Sequence, residues 1–88
     1  MATSQNDLIV AINEIINTHN SQNLNYLYFK MTSIADLVKK FSTDDLYKSF
    51  NINRQCLFYE IRFGDGDDCV IDDCIDVINE ILAKLNEE

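Results

Sequence analysis

The stretch QCLFYEIRF, residues 55–63, decides the fold predicted from this sequence. Its side chains fall into two sets with a period of two, which is the spacing of residues on the two faces of a β-strand. One face of such a strand would contact a core and the other would be partly hydrated. The predicted core face holds Leu57, Tyr59, Ile61 and Phe63, and the other holds Cys56, Phe58, Glu60 and Arg62.

A second strand is predicted over Tyr26–Met31, YLYFKM, where aromatic residues again alternate with other side chains. Aromatic residues are enriched in strands, and the period of two favours one here. The alternative for this segment is a helix that continues into the residues that follow.

Helices are predicted on both sides of these strands. A first helix covers residues 4–19, with Ser4 as its cap, and short helices cover 34–41 and 44–50, the second capped by Ser42 or Thr43. The strongest helical pattern is at the C-terminal end, where apolar residues recur at spacings of 4, 3, 4 and 3. These residues are Ile71, Ile75, Ile78, Leu82 and Leu85.

We therefore expect a small α+β protein, with residues 1–88 forming a single compact domain. A two- or three-stranded antiparallel sheet would be packed by the N-terminal helix, the short central helices and the long C-terminal helix, because two isolated strands are marginally stable. The alternative is an all-α bundle.

The charge of the chain is concentrated at one end. Residues 1–63 contain six acidic and six basic residues, whereas residues 64–88 contain nine acidic residues against Lys84 alone, for a net charge of −8. An asymmetry of this kind bears on partners rather than on fold. Direct contact of the acidic segment with nucleic acid is disfavoured because phosphates would be repelled.

No catalytic or metal-binding constellation is evident. An EF-hand loop starting at Asp65 would place Cys69 and Val70 where an oxygen ligand and a glycine are needed. The DDCID sequence at 72–76 resembles the metal-binding motif of isoprenoid diphosphate synthases, but 88 residues leave no room for their large helical cavity. His19 is the only histidine, and the three cysteines lack the spacing of a zinc motif. We expect a protein that is not an enzyme and has no cofactor or metal.

The acidic segment is the candidate partner-binding site. On a helix, residues four apart lie about 6 Å from each other along one edge, so a row of carboxylates would crudely resemble the phosphates of one nucleic-acid strand. The competing interpretation is that these acids are helix caps and a solvated surface. Aromatic residues at 26, 28, 47 and 58 could add contacts, although core packing suits them better. The predicted site consists of Asp65, Asp67, Asp68, Asp72, Asp73, Asp76 and Glu80.

In size, acidity and lack of a catalytic constellation, the chain resembles two kinds of inhibitor: phage anti-defence proteins, including anti-CRISPR and DNA-mimic proteins, and the immunity proteins of nuclease toxins. The resemblance implies a basic-surfaced partner, such as a nucleic-acid-binding enzyme, which the chain would block in the cytoplasm of a bacterial or phage-infected cell. No contact with a membrane is expected. The alternative is an assembly module that forms a homodimer through the Ile71–Leu85 stripe, with the acids keeping the surface soluble.

Overall fold

The computed structural model describes residues 5–18, 23–64 and 69–87, and within these ranges the chain forms helices and no strand. The predicted α+β class is therefore wrong, and the all-helical alternative is correct. The helices are α1 (Gln5–Thr18), α2 (Leu24–Phe41), α3 (Asp44–Phe63) and α4 (Cys69–Asn86).

The four helices pack around one shared core. Helices α1 and α3 each contact both α2 and α4, and α2 also reaches α4 across the middle of the bundle. Neighbouring helices run antiparallel: Lys30 of α2 pairs with Glu14 of α1 at 2.9 Å, and the Gln5 side-chain amide at the start of α1 donates to the Leu85 carbonyl near the end of α4. The result is an elongated bundle of 38 × 24 × 21 Å.

The predicted strand over 26–31 is the first part of α2. Its buried residues, Leu27 and Met31, continue a helical series through Ile34 and Val38. The helix begins here because the Asn23 side-chain carbonyl accepts a hydrogen bond from the Tyr26 backbone N–H at 3.0 Å, which satisfies a donor that the first turn leaves open. Alternation over six residues was too short a signal to outweigh this longer pattern.

The predicted strand over 55–63 is the second half of α3, and its error has a specific cause. Of the four side chains assigned to the core face, Leu57 is buried and Ile61 half-buried, but Tyr59 and Phe63 are 51% and 74% exposed. The fold instead buries Phe50 and Leu57, seven residues apart, as two turns of a helix require. The apparent period of two came from aromatic residues that face solvent.

The remaining helix predictions are close to the structure. The first helix is confirmed over the described residues 5–18, and the Thr43 cap is confirmed because its hydroxyl accepts from the Leu46 N–H at 3.2 Å. The two predicted short helices are the end of α2 and the start of α3. In the described part of the chain, no helix combines the length and the apolarity needed to cross a bilayer.

Candidate functional site

Helix α4 is held by its apolar face, which leaves the opposite face available for contacts. Six of its residues are buried in the core, all spaced at helical intervals. The preceding helix α3 is capped by Gly64, whose φ of 46° suits a glycine and whose N–H donates to the Glu60 carbonyl at 2.8 Å. The buried residues are Ile71, Cys74, Val77, Ile78, Ile81 and Leu85.

Four of the predicted site residues lie together on the exposed face of α4. Asp72, Asp73, Asp76 and Glu80 are all exposed. With 3.6 residues per turn, Asp76 and Glu80 fall between Asp72 and Asp73 around the helix axis, so the four carboxylates occupy one side of the helix. We call these four residues the acidic face.

Part of the acidic face borders a shallow groove between α3 and α4. The groove has a volume of about 230 Å³ and is lined on the α4 side by Asp73, Asp76 and Glu80, with Val77 at its base. Ser49 and Asn53 of α3 form the opposite wall. A partner that reaches the carboxylates therefore also meets a polar, uncharged strip of α3.

The charge balance of the acidic face follows from the cations placed near it among the described residues. Within residues 5–18, 23–64 and 69–87, none of its four carboxylates forms an ion pair. Lys84, the one cation of α4, lies 3.8 Å from Glu87 at the far end of the helix. Negative charge on this surface is therefore left for solvent ions or for a partner.

The other three predicted site residues, Asp65, Asp67 and Asp68, lie outside the described residues. His19 and the predicted cap Ser4 also lie outside them.

The cysteines give no evidence of a reactive site. Cys74 is fully buried, and its thiol donates to the Asn53 carbonyl at 3.3 Å. Burial raises the pKa of this thiol to about 12, with smaller contributions from the neighbouring Cys56 and Asp73, so it stays protonated at neutral pH. Its role is that of a small buried side chain at the α3–α4 contact. Across the described ranges, no three metal-ligating side chains converge on one point.

The surface proposed for a homodimer is not exposed. Of the five stripe residues, Ile71, Ile78 and Leu85 are buried, and Ile75 and Leu82 are half-buried against the same core. A dimer through this stripe would require the bundle to open. No observation tests the homodimer directly, so it stays a prediction.

Tyr59 and Phe63, which the sequence assigned to a core, instead extend an aromatic surface that includes Tyr28 and Phe58, two of the possible contacts named above. Tyr28 of α2 is followed by Phe58, Tyr59 and Phe63 of α3 in a continuous row, with ring centroids 5.7, 6.1 and 6.0 Å apart. A helical interpretation of residues 44–63 would have found it, because Tyr59 and Phe63 are four apart and lie away from Phe50 and Leu57. The exposed aromatic row is distinct from the acidic face.

Comparisons with known protein families, with curated proteins and with solved structures give no match.

Proposed function

We propose that this protein is a small, non-enzymatic inhibitor that places its acidic face on the basic nucleic-acid-binding surface of a partner enzyme. The observation that carries the proposal is the group of four exposed carboxylates, which form no ion pair with the described residues, on a helix whose other face is buried in the core. A rigid helix presents these charges without ordering them at the moment of binding, which reduces the entropic cost of association.

Charge complementarity supports this choice of partner. A surface that binds nucleic acid is lined with Lys and Arg and normally contacts regularly spaced phosphates. On α4, successive carboxylates at positions 72, 76 and 80 are about 6 Å apart along the helix. Such a row speeds encounter with a basic surface and competes with nucleic acid for the same cations.

The test is a capture experiment with the intact chain as bait. Bacterial lysate would be passed over wild type and over the variant Asp72→Asn/Asp73→Asn/Asp76→Asn/Glu80→Gln, with washes from about 50 to about 500 mM salt. We expect a captured protein that binds nucleic acid, is displaced by added duplex DNA, and elutes at higher salt from wild type. Four exposed charges contributing roughly 0.2–1 kcal/mol each predict an affinity loss of about four-fold or more in the variant.

Two controls separate this proposal from a general effect of charge. The pair Asp76→Asn/Glu80→Gln is compared with Asp36→Asn/Asp45→Asn, which removes the same charge from exposed positions on α2 and α3. Circular dichroism checks that each variant is folded. Equal losses in the two pairs, or a captured protein that still binds nucleic acid while the acidic chain is attached, would contradict the proposal.

The proposal covers two biological settings, both in the cytoplasm of a bacterial or phage-infected cell. A phage anti-defence protein of the anti-CRISPR or DNA-mimic kind would block a host nuclease, whereas an immunity protein would block the toxin of its own cell. The charge pattern suits both. Neighbouring genes separate them, since a toxin gene beside this one indicates immunity and phage genes indicate anti-defence.

A further inference from the structure

The aromatic row on α2 and α3 has the properties of a preformed binding surface. Phe63 and Tyr59 are 74% and 51% exposed and stack on each other with their planes 20° apart. Phe58 contacts Tyr59 edge-on and Tyr28 at a tilt, so each ring is supported by a neighbour. Rings that already hold one another lose little freedom on binding, and exposed aromatic side chains gain most from being covered.

Two arginines are associated with this row. The Arg62 guanidinium lies 5.7 Å from the centre of the Phe58 ring. Arg54 lines a cleft of about 250 Å³ with Tyr28, Phe58 and the amides Asn51 and Gln55. Its guanidinium donates to the Asn51 side-chain carbonyl at 3.1 Å, which fixes it in the wall of the cleft. We call the four rings and these two arginines the aromatic–arginine face.

The electrostatics of this half of the molecule differ from those of α4. Residues 23–64, which contain α2 and α3, have six basic residues against four acidic ones, whereas residues 69–87 have five acidic residues against one basic. The aromatic–arginine face therefore belongs to the two helices with a net positive charge in an acidic protein. Aromatic rings that alternate with arginines fit a ligand that is both apolar and negatively charged.

Three classes of ligand are both apolar and negatively charged, and they differ in how strongly the net charge of the protein repels them. Single-stranded nucleic acid stacks on aromatic rings, but a continuous polyanion would be repelled by a molecule with a net charge of −8. A second copy has the same charge, and its acidic face offers carboxylates without exposed apolar side chains to cover the rings. A protein segment with a few carboxylates among apolar residues can contact both the arginines and the rings, and its few charges are repelled less than a continuous polyanion would be.

We propose that the aromatic–arginine face is a second docking surface, and that it binds an acidic segment of another protein that carries aromatic or aliphatic side chains. The carboxylates would meet Arg54 and Arg62, and the apolar side chains would cover Tyr59 and Phe63. This surface has no residue in common with the acidic face or the groove beside it.

The experiment is selection of a random dodecapeptide library, displayed on phage, against the intact immobilised chain. We expect the selected peptides to be enriched in Asp and Glu together with aromatic or aliphatic residues. Measured by fluorescence polarisation, the affinity of a labelled selected peptide should fall about ten-fold or more in Arg54→Gln/Arg62→Gln and similarly in Tyr59→Ser/Phe63→Ser.

Matched variants make the result specific. Lys39→Gln/Lys40→Gln removes the same charge from exposed positions of α2, and Phe29→Ser removes a phenyl ring that is 69% exposed but outside the row. Each should change the affinity by less than about two-fold, as should Asp76→Asn/Glu80→Gln on the acidic face. Failure to enrich any peptide, enrichment of peptides without acids, or equal losses in the matched variants would overturn the proposal.

Two further measurements assign the surface to another ligand class if the proposal is wrong. Binding of a labelled oligothymidylate that is lost in Tyr59→Ser/Phe63→Ser would make it a nucleic-acid platform. Concentration-dependent dimerisation in sedimentation that is lost in the same variant would make it a self-association surface. If neither oligothymidylate binding nor dimerisation is observed and an acidic–apolar peptide binds, the proposal is supported.

Discussion

Helices α3 and α4 are similar in length and pack against each other, but they differ in how many of their apolar side chains are buried. Helix α4 buries six of its 18 residues, whereas α3 buries only Phe50 and Leu57 out of 20. The exposed side of α4 carries carboxylates, and that of α3 carries rings and arginines. In α4, the apolar pattern is fully accounted for by the core. In α3, several apolar side chains are exposed instead of buried in the core. The comparison therefore distinguishes apolar residues that stabilise the fold from apolar residues that are available to partners.

The largest expected effect tests this separation within α3 itself. Phe50 is 0% exposed and Phe63 is 74% exposed, although both are phenylalanines of the same helix. Phe50→Ala should lower the free energy of unfolding by about 3–5 kcal/mol, because it leaves a cavity in the core. Phe63→Ala should change it by less than about 0.5 kcal/mol. Urea unfolding followed by circular dichroism measures both, and a comparable loss in Phe63→Ala would mean that the aromatic row stabilises the fold.

The same contrast explains how much of the fold could be predicted from the sequence. The α4 helix was predicted because its apolar residues follow one helical stripe with polar residues on the other side. The α3 helix was not, because exposed Tyr59 and Phe63 interrupt its stripe and mimic a strand. Hydrophobic patterning assumes that apolar residues are buried, and it fails where they are kept at the surface.

The two candidate sites differ in how far the exposure of their residues could be predicted from the sequence. Exposure of Asp72, Asp73, Asp76 and Glu80 could be predicted, since a charged side chain is almost never buried without a partner. Which aromatic residues stay exposed could not, because that depends on how α2 and α3 pack. Tyr28 and Phe58 are half-buried between these helices, while Tyr59, next in sequence to Phe58, faces outward.

The second prediction concerns the contact between α3 and α4 and its dependence on pH. Burial raises the pKa of Cys74 from 9.0 to about 12, so between these pH values the folded state holds a proton that the unfolded state has lost. This contribution is fully present below pH 9 and is lost as pH rises toward 12. The free energy of unfolding should therefore fall by up to about 1.4 kcal/mol per pH unit in this window.

The control for this prediction uses the two cysteines that approach each other at the same contact. In Cys74→Ala the part of the slope between pH 9 and pH 11 that is due to the thiol should vanish, so the variant, less stable than wild type at neutral pH, should approach wild type as the pH rises. In Cys56→Ala, which alters an exposed side chain, the slope should remain. Identical slopes in wild type and Cys74→Ala would show that the buried thiol does not govern the alkaline loss of stability.

A smaller effect on stability is expected at the C-terminal cap of α3. Gly64 has a φ of 46°, and a Cβ there would meet only the Glu60 carbonyl oxygen, at an ordinary distance of 3.6 Å. The cost of Gly64→Ala is therefore backbone strain alone, about 1–2 kcal/mol. Gly64→Asn should cost less, because asparagine tolerates this conformation better. Thermal unfolding ranks the three proteins, and equal stabilities would mean that the cap does not need a left-handed residue.

The smallest effect has the opposite sign and distinguishes the acidic face from an ordinary helix surface. Asp76 has carboxylates four residues before and after it, at Asp72 and Glu80, and like charges at this spacing destabilise a helix. Asp76→Asn should therefore raise the free energy of unfolding by about 0.5 kcal/mol at low salt, and the gain should shrink as salt screens the repulsion. Glu14→Gln, which removes the partner of Lys30 at 2.9 Å, should lower stability instead. If Asp76→Asn also lowered the free energy of unfolding, the Asp76 carboxylate would stabilise the fold. Its presence on the acidic face would then be explained without a partner.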